Sequence, residues 1–264
     1  MNQMKVRICQ DAATVARVGA SMIVELVREN PAAVLGLATG STPPALYQEL
    51  IRRHKEEGLS FSQVTTFNLD EYVGLWPTHK QSYHFFMWEN LFRHINIDPR
   101  RVFIPAGIAP DMGEYCEWYE NAIRSLGGID LQVLGIGPAD DPHIAFNCAG
   151  TSLTSRTHVV NLHPATIKAN ARFFPSAVEV PRQAITMGVQ TIMEVRQCLL
   201  LITGSHKAVS AVKAIEGPIT VDVTASVLQN HPNTVVLLDE PAASKLKRIG
   251  QYELIAADET TVMV

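Results

Sequence analysis

The chain is expected to adopt an α/β fold with a largely parallel central sheet and helices on both faces. Short apolar runs alternate with helix-period segments almost from end to end, and this order builds parallel sheets through crossover helices. The run Val34 to Ala38 is apolar throughout, as suits a strand covered on both faces. Hydrophobic residues make up 47% of 264 residues, enough to fill one large core. With no repeat, low-complexity tract or linker-like shift in composition, a single domain spanning residues 1–264 is expected.

The elements follow in order. Asp11 caps a helix whose apolar positions Val15, Val18, Met22 and Leu26 recur three or four residues apart, and Asn30-Pro31 ends it. The strand Val34 to Ala38 breaks at Thr39-Gly40-Ser41-Thr42-Pro43. A second helix starts there with proline in its first turn, continues through Ala45 to Lys55 and stops at Gly58. Val64 to Phe67 reads as a strand, Tyr83 to Phe92 as a helix and Val102 to Ile104 as a strand. Asp111 to Leu126 is an amphipathic helix closed by Gly127-Gly128. Leu131 to Ile136 and Ala184 to Met187 are strands, and Cys198 to Thr203 leads into a helix from His206 to Ile215. Val235 to Leu238 is the last strand.

Composition excludes several classes of function. A net charge of −4 without a basic stripe argues against nucleic acid as a partner. Cys9, Cys116, Cys148 and Cys198 are scattered without a C-x-x-C pair, so neither a zinc finger nor a disulfide framework is expected. Reduced thiols, no export signal near Met1 and no run of about 18 apolar residues point to a soluble cytoplasmic protein with no membrane partner.

Two acidic corners follow apolar strands. In Leu134-Gly135-Ile136-Gly137-Pro138-Ala139-Asp140-Asp141-Pro142-His143, a strand ends in glycines just before two acids and an imidazole. Ligands bind at the carboxyl ends of strands in open α/β sheets, and His143 titrates nearest neutrality. Asp141, two residues away, is placed to polarise it. In Asn68-Leu69-Asp70-Glu71-Tyr72, adjacent acids in extended chain point opposite ways, so one can face a cleft while the other pairs structurally. A carboxylate in a water-poor cleft can abstract a proton beside a carbonyl. Asn147 either hydrogen-bonds a ligand or closes its turn, and Trp76, Trp88 and Trp118 read as packing elements.

An anion site is also expected. Gly40, Ser41 and Thr42 lie between a strand and a helix start, where unpaired N–H groups and the helix dipole suit phosphate. Arg172, flanked by Phe173 and Phe174, and Lys207, at another strand-to-helix corner, are the candidate cations. The Walker A spacing is absent.

At these residues the sequence resembles the glucosamine-6-phosphate deaminase family of amino-sugar phosphate isomerases. The likeness lies in Leu35 to Pro43, in Thr66-Phe67-Asn68-Leu69-Asp70-Glu71-Tyr72-Val73-Gly74-Leu75, in His143 to Asn147 and in Ser152 to Thr157. It continues through Asn170 to Phe174, Gly204 to Lys207 and Asp239-Glu240-Pro241. The resemblance implies a Rossmann-like three-layer sandwich, no cofactor and a role in amino-sugar metabolism. The reaction it implies turns glucosamine 6-phosphate and water into fructose 6-phosphate and ammonia. Asp70 would move a proton between C2 and C1, and His143 would open the sugar ring, oriented by Asp141 or Asp140. The phosphate would rest on Gly40 to Thr42, Arg172 and Lys207. Relatives range from monomers to hexamers, so a homo-oligomer stays open.

Three departures from the family pattern stand out. Pro142 replaces a glycine, fixing φ and removing an N–H. Cys148 stands where the family has a glutamate, and losing that carboxylate disfavours the imidazolium form of His143, which suggests a slower or retargeted enzyme. His158 and Val160 occupy the places of an Arg and a Lys that bind the activator N-acetylglucosamine 6-phosphate in many bacterial relatives, so no such activation is expected. Two alternatives remain at this stage. One is a hydrolase like 6-phosphogluconolactonase, which shares the fold; the other is a sugar-phosphate sensor whose catalysis has decayed.

Overall fold

In the computed structural model, which describes residues 4–256 apart from 163–166, 168–170, 172, 173, 175, 177 and 178, eight strands pair in parallel throughout. They are β1 (Lys5–Cys9), β2 (Val34–Leu37), β3 (Thr65–Asn68), β5 (Val102–Phe103), β6 (Leu131–Leu134), β9 (Cys198–Ile202), β10 (Thr234–Asp239) and β11 (Glu253–Ile255). Their spatial order is β11-β1-β10-β9-β6-β2-β3-β5. β9 and β10 are buried along their whole length, which is why their sequences are nearly unbroken aliphatic runs. From β2 the chain steps outward to β3 and β5, returns to β6 on the other side of β2, then moves outward to β9 and β10. That reversal falls between β2 and β6, whose carboxyl ends are the usual ligand position in this architecture.

Helices flank the sheet. In α1 (Ala12–Glu29) the Asp11 carboxylate accepts the Thr14 N–H at 2.7 Å, and Val15, Val18, Ile23 and Val27 are buried. An N-cap of this kind contributes about 1 kcal/mol. α2 (Pro43–Glu57) ends at Gly58, and α4 (Met112–Ser125) starts on an Asp111 cap. Between them in sequence lies α3 (Tyr83–Asn90), shorter than expected because the chain passes into a 3₁₀ turn at Phe92–His94. The later helices are α5 (Val189–Met193), α6 (Ala208–Ile215) and α7 (Glu240–Ala243).

The strand expected at Ala184 to Met187 is present but lies outside the main sheet. β8 (Gln183–Thr186) is the centre of an antiparallel three-stranded sheet, between β4 (Asp70–Tyr72) and β7 (His158–Asn161). Leu69 joins the two sheets: its N–H bonds Leu37 O at 3.2 Å while its carbonyl accepts from Met187 N at 2.7 Å. Tyr72, Phe146, Leu162 and Ala184 form a small second core beside this sheet.

Trp76 is 67% exposed, contrary to its reading as a packing element, whereas Trp118, though 48% exposed, packs on Tyr115 at a ring separation of 5.2 Å. Only Trp88 packs partly buried against the core. No helix among the described residues is long and apolar enough to cross a membrane.

Candidate active site

The loop after β6 folds back on itself. Gly137 N donates to His143 O at 2.8 Å, and His143 N donates to Asp141 O at 2.8 Å. A Cβ on Gly137 would lie 2.2 Å from Asp141 O and 2.7 Å from His143 Nδ1, so only glycine permits this fold-back. Three donors from one segment pin the loop's carbonyls. Lys207 Nζ reaches Ile136 O at 2.7 Å, Ser210 Oγ reaches Gly137 O at 3.0 Å and Lys213 Nζ reaches Ala139 O at 2.8 Å.

His143 Nδ1 lies 2.9 Å from Asp141 Oδ2, and Asp141 Oδ1 accepts the Ala149 N–H at 2.9 Å. Asp140 is exposed, so Asp141 is the acid that orients the ring. Burial raises the Asp141 carboxyl, but the hydrogen bond and charge of His143, with help from Cys148 and the Ala149 N–H, outweigh it and hold the group down at about 2. An ionised carboxylate on Nδ1 fixes the neutral ring with its proton on Nδ1 and its lone pair on Nε2.

The His143 to Asn147 run closes through an Ile144–Asn147 bridge, with Ala145 at φ +52°, the only described non-glycine residue at positive φ. Asn147 Nδ2 donates to Ile144 O at 3.1 Å and to Met187 O at 2.9 Å. Of its two expected roles, the structure shows turn closure. Cys148 Sγ lies 3.9 Å from His143 Nδ1.

The adjacent acids Asp70 and Glu71 divide as extended chain requires. Glu71 Oε1 accepts from Tyr72 N and Tyr83 N, and Oε2 from His84 N, all at 2.8–2.9 Å. Ser82 Oγ takes the next N–H, from Phe85, so the two side chains satisfy the first three donors of α3. Glu71 is therefore structural, although burial still pushes its carboxyl up to about 7. Asp70 is buried, and no hydrogen bond to its carboxylate occurs among the described residues. Burial, with the charge of Glu71, pushes it up to about 8.

The expected phosphate turn follows β2. Gly40 has φ +104°, and a Cβ there would meet no atom within 4 Å, so the turn is open. Thr42 is the N-cap of α2, yet its side chain makes no cap bond; its hydroxyl lies 3.2 Å from that of Thr203. Pro43 and Pro44 begin the helix and contribute no N–H. The backbone donors at this corner therefore come from residues 40–42 and from Ala45, the first helical residue with an N–H. The Lys207 ammonium sits at the carboxyl end of β9, and burial lowers its pKa. Arg172 lies outside the described residues.

Gly40 to Thr42, Asp70, Asp141 with His143, and Lys207 thus come from the carboxyl ends of β2, β3, β6 and β9, four consecutive strands of the sheet. The Asp70 and His143 corners are joined through β8 and the residue after it. Met187 N donates to Leu69 O, Met187 O accepts from Asn147, and Phe146 N donates to Thr186 Oγ1 at 3.0 Å, where Thr186 is the β8 partner of Asp70. Tyr72 and Tyr83 pack on Phe146 at ring separations of 5.9 and 6.1 Å.

Sequence reasoning missed Thr186, Met187, Thr224 and the positioning role of Asp239. Thr224 Oγ1 donates to Asn147 O at 2.6 Å, and both Asp239 oxygens accept the Gly204 N–H at 2.9–3.0 Å, fixing the Lys207 corner. Only Asp239, which opens the run Asp239-Glu240-Pro241 at a strand's end, carried a local signal. A cavity of about 560 Å³ between α4 and β7, lined by Cys116, Glu120, Arg156 and His158, contains none of the expected site residues. A smaller one of about 90 Å³ reaches Ser41, Thr42 and Thr203.

The structure is thus that of an α/β protein with acid–base side chains gathered at neighbouring strand tips. The family described as glucosamine-6-phosphate isomerases/6-phosphogluconolactonase matches residues 10–237, and the chain belongs to it. Glucosamine-6-phosphate deaminase from Cellvibrio japonicus (strain Ueda107) is 48% identical over 260 residues, covering 98% of each chain. Glucosamine-6-phosphate deaminase 1 from Bacillus subtilis (strain 168) is 48% identical, covering 91% of this chain and 99% of its own. A solved monomeric glucosamine-6-phosphate deaminase superposes with a TM-score of 0.88 at 48% identity, over 91% of this chain and 99% of its own. The 6-phosphogluconolactonase from Trypanosoma cruzi shares the fold, with a TM-score of 0.69 at 23% identity over 93% and 98% of the two chains.

Proposed function

We propose that the protein is a glucosamine-6-phosphate deaminase, coupling aldose–ketose isomerisation to release of ammonia and forming fructose 6-phosphate. The observation that carries this reading is the hydrogen-bonded link from the buried Asp70 corner to the Asp141–His143 pair through Met187 and Asn147. Two named deaminases at 48% identity over most of both chains support it.

In this reading the sugar's phosphate rests on the Gly40–Thr42 turn and Lys207, with Arg172 as a further cation. That grip leaves C1 and C2 near the acid–base groups. His143 Nε2 takes the anomeric hydroxyl proton and delivers one to the ring oxygen, opening the ring, while Asp141 stabilises the imidazolium on the Nδ1 side. Asp70 then removes the C2 proton, acidified by the new C1 aldehyde, while a proton passes from the C2 ammonium to the aldehyde oxygen, and Asp70 returns the proton it took to C1. C2 is left as an imine; water adds there and ammonia leaves. The substrate's C2 ammonium draws Asp70 toward its ionised form when it binds, countering burial.

A phosphorylated sugar substrate and cysteines outside any disulfide support a reading in which a single-domain protein acts in the cytoplasm without a cofactor. A panel of hexosamine and hexose 6-phosphates, with 6-phosphogluconolactone alongside, tests the reading by assaying ammonia, ketose and acid. Ammonia and ketose from glucosamine 6-phosphate in equal amounts are expected. Lactone hydrolysis with no ammonia from any hexosamine phosphate would overturn it.

A further inference from the structure

We propose that Asp141, His143 and Cys148 form a binding site for a thiophilic divalent cation, Zn²⁺ by the chemistry of its donors. One donor atom from each of the three residues lies within 4.8 Å of the others. Oδ2 of Asp141 and Sγ of Cys148 stand 2.9 and 3.9 Å from the same nitrogen, His143 Nδ1. Around a tetrahedral Zn²⁺ with bonds of roughly 2.0–2.3 Å, such donors sit about 3.3–3.8 Å apart. The two separations from Nδ1 therefore need only sub-ångström adjustments, one opening and the other closing, and the oxygen and sulfur donors start within 4.8 Å of one another. Oxygen, nitrogen and sulfur together, with a fourth position left for water, suit zinc better than a hard cation such as magnesium.

The surroundings are already organised for three ligands. The Ala149 N–H holds Asp141 Oδ1 and leaves Oδ2 for the ion. The Cys148 carbonyl is fixed by both the N–H and the hydroxyl of Thr151, at 3.0 and 2.7 Å. The other three cysteines are buried, whereas Cys148 is partly exposed and its side chain already hydrogen-bonds Asp141. No other group of three or more such donors occurs among the described residues.

Charge and protons balance without a redox step. The Asp141 carboxylate is already ionised, the thiol gives up one proton to solvent, and the ring moves its proton from Nδ1 to Nε2 as Nδ1 binds the ion. The ring then has no lone pair on Nε2. Resting on the acid–base role given to His143 above, this predicts that the metal and ring opening exclude each other.

The test uses the full chain, freed of metal by a chelator. Zn²⁺ titration by calorimetry should give one site per chain, and Co²⁺ should give the thiolate-to-cobalt absorption of a sulfur-ligated ion. Cys148→Ser should abolish that absorption and weaken Zn²⁺ binding about 100-fold, with circular dichroism showing that the variant is folded. Alkylating the exposed thiol of the unmutated protein should produce the same loss without any substitution. Equal Zn²⁺ affinity in the native and thiol-blocked proteins, or a cobalt complex lacking the thiolate band, would overturn the site. In a parallel assay, Zn²⁺ should stop ammonia release and EDTA should restore it. Sulfur-ligated binding that leaves turnover intact supports the metal site and removes His143 from the proposed mechanism, so the two readings fail separately.

Discussion

Gly137 and His143 pack so closely that a methyl group on Gly137 would sit 2.7 Å from Nδ1 and 2.8 Å from Cγ of the imidazole. Gly137→Ala must displace the ring, the Asp141 carbonyl or both. Overpacking of this kind costs roughly 1–3 kcal/mol of stability. A ring displaced by about 1 Å should cost about 100-fold in kcat/KM for ammonia release. Steady-state kinetics and thermal melts on one preparation check both figures. Full activity in this variant would mean that the observed His143 position is not the working one.

Asp70 ties activity and stability to pH in opposite senses. Its pKa is raised from 3.8 to about 8, first by burial and then by Glu71. Between those values the folded protein holds a proton that the unfolded chain has lost, so the Asp70 contribution to stability is full at low pH and falls as pH rises toward 8. Asp70→Asn removes that dependence. Its stability advantage over the native chain should grow from pH 4 to pH 8 by up to about 1.4 kcal/mol per unit, then level off, as read from denaturant titrations. The same variant should lose at least about 10³-fold in kcat, while native kcat/KM should rise with pH on an acid limb far above an ordinary aspartate. A pH-independent stability difference would remove the buried-acid argument.

Cys148 approaches His143 on the Nδ1 side, where Asp141 already sits. A carboxylate placed there adds a second anion beside the imidazole and favours its protonated form. Cys148→Glu should therefore raise kcat several-fold and move the pH–rate profile toward higher pH. Unchanged turnover at every pH tried would show that the thiol is no handicap.

His158 and Val160 lie on β7, and His158 Nδ1 is engaged with Arg156 O at 2.7 Å. Neither offers the paired cations that an anionic activator needs. Rate curves with glucosamine 6-phosphate should be unaltered by N-acetylglucosamine 6-phosphate. A sigmoidal curve turned hyperbolic by that compound would mean that other residues supply the charge.

Features whose partners lie close in the chain were readable from the sequence. Asp11 and Asp111 cap helices by reaching N–H groups three residues along, and the glycine, acid and imidazole after β6 meet within one loop. The parallel sheet follows from the order of apolar and helical segments, which is local information repeated. Contacts that span the chain left no such trace. β1 escaped notice because Arg7 interrupts it, and the Glu253 carboxylate that accepts from Arg7 at 2.7 Å is 246 residues away. Sequence alternation does not say which sheet a strand joins, so the separation of β8 from the main sheet emerged only with the fold. Likewise Glu71, rather than Asp70, became the structural acid because α3 presents its N-terminus to that face of β4. The sequence by itself determined where titratable side chains and candidate anion-binding groups fall along the chain. Tertiary structure alone decided which of them stand at neighbouring strand ends and which lose their water, because desolvation and hydrogen-bond partnership depend on neighbours far away in the chain.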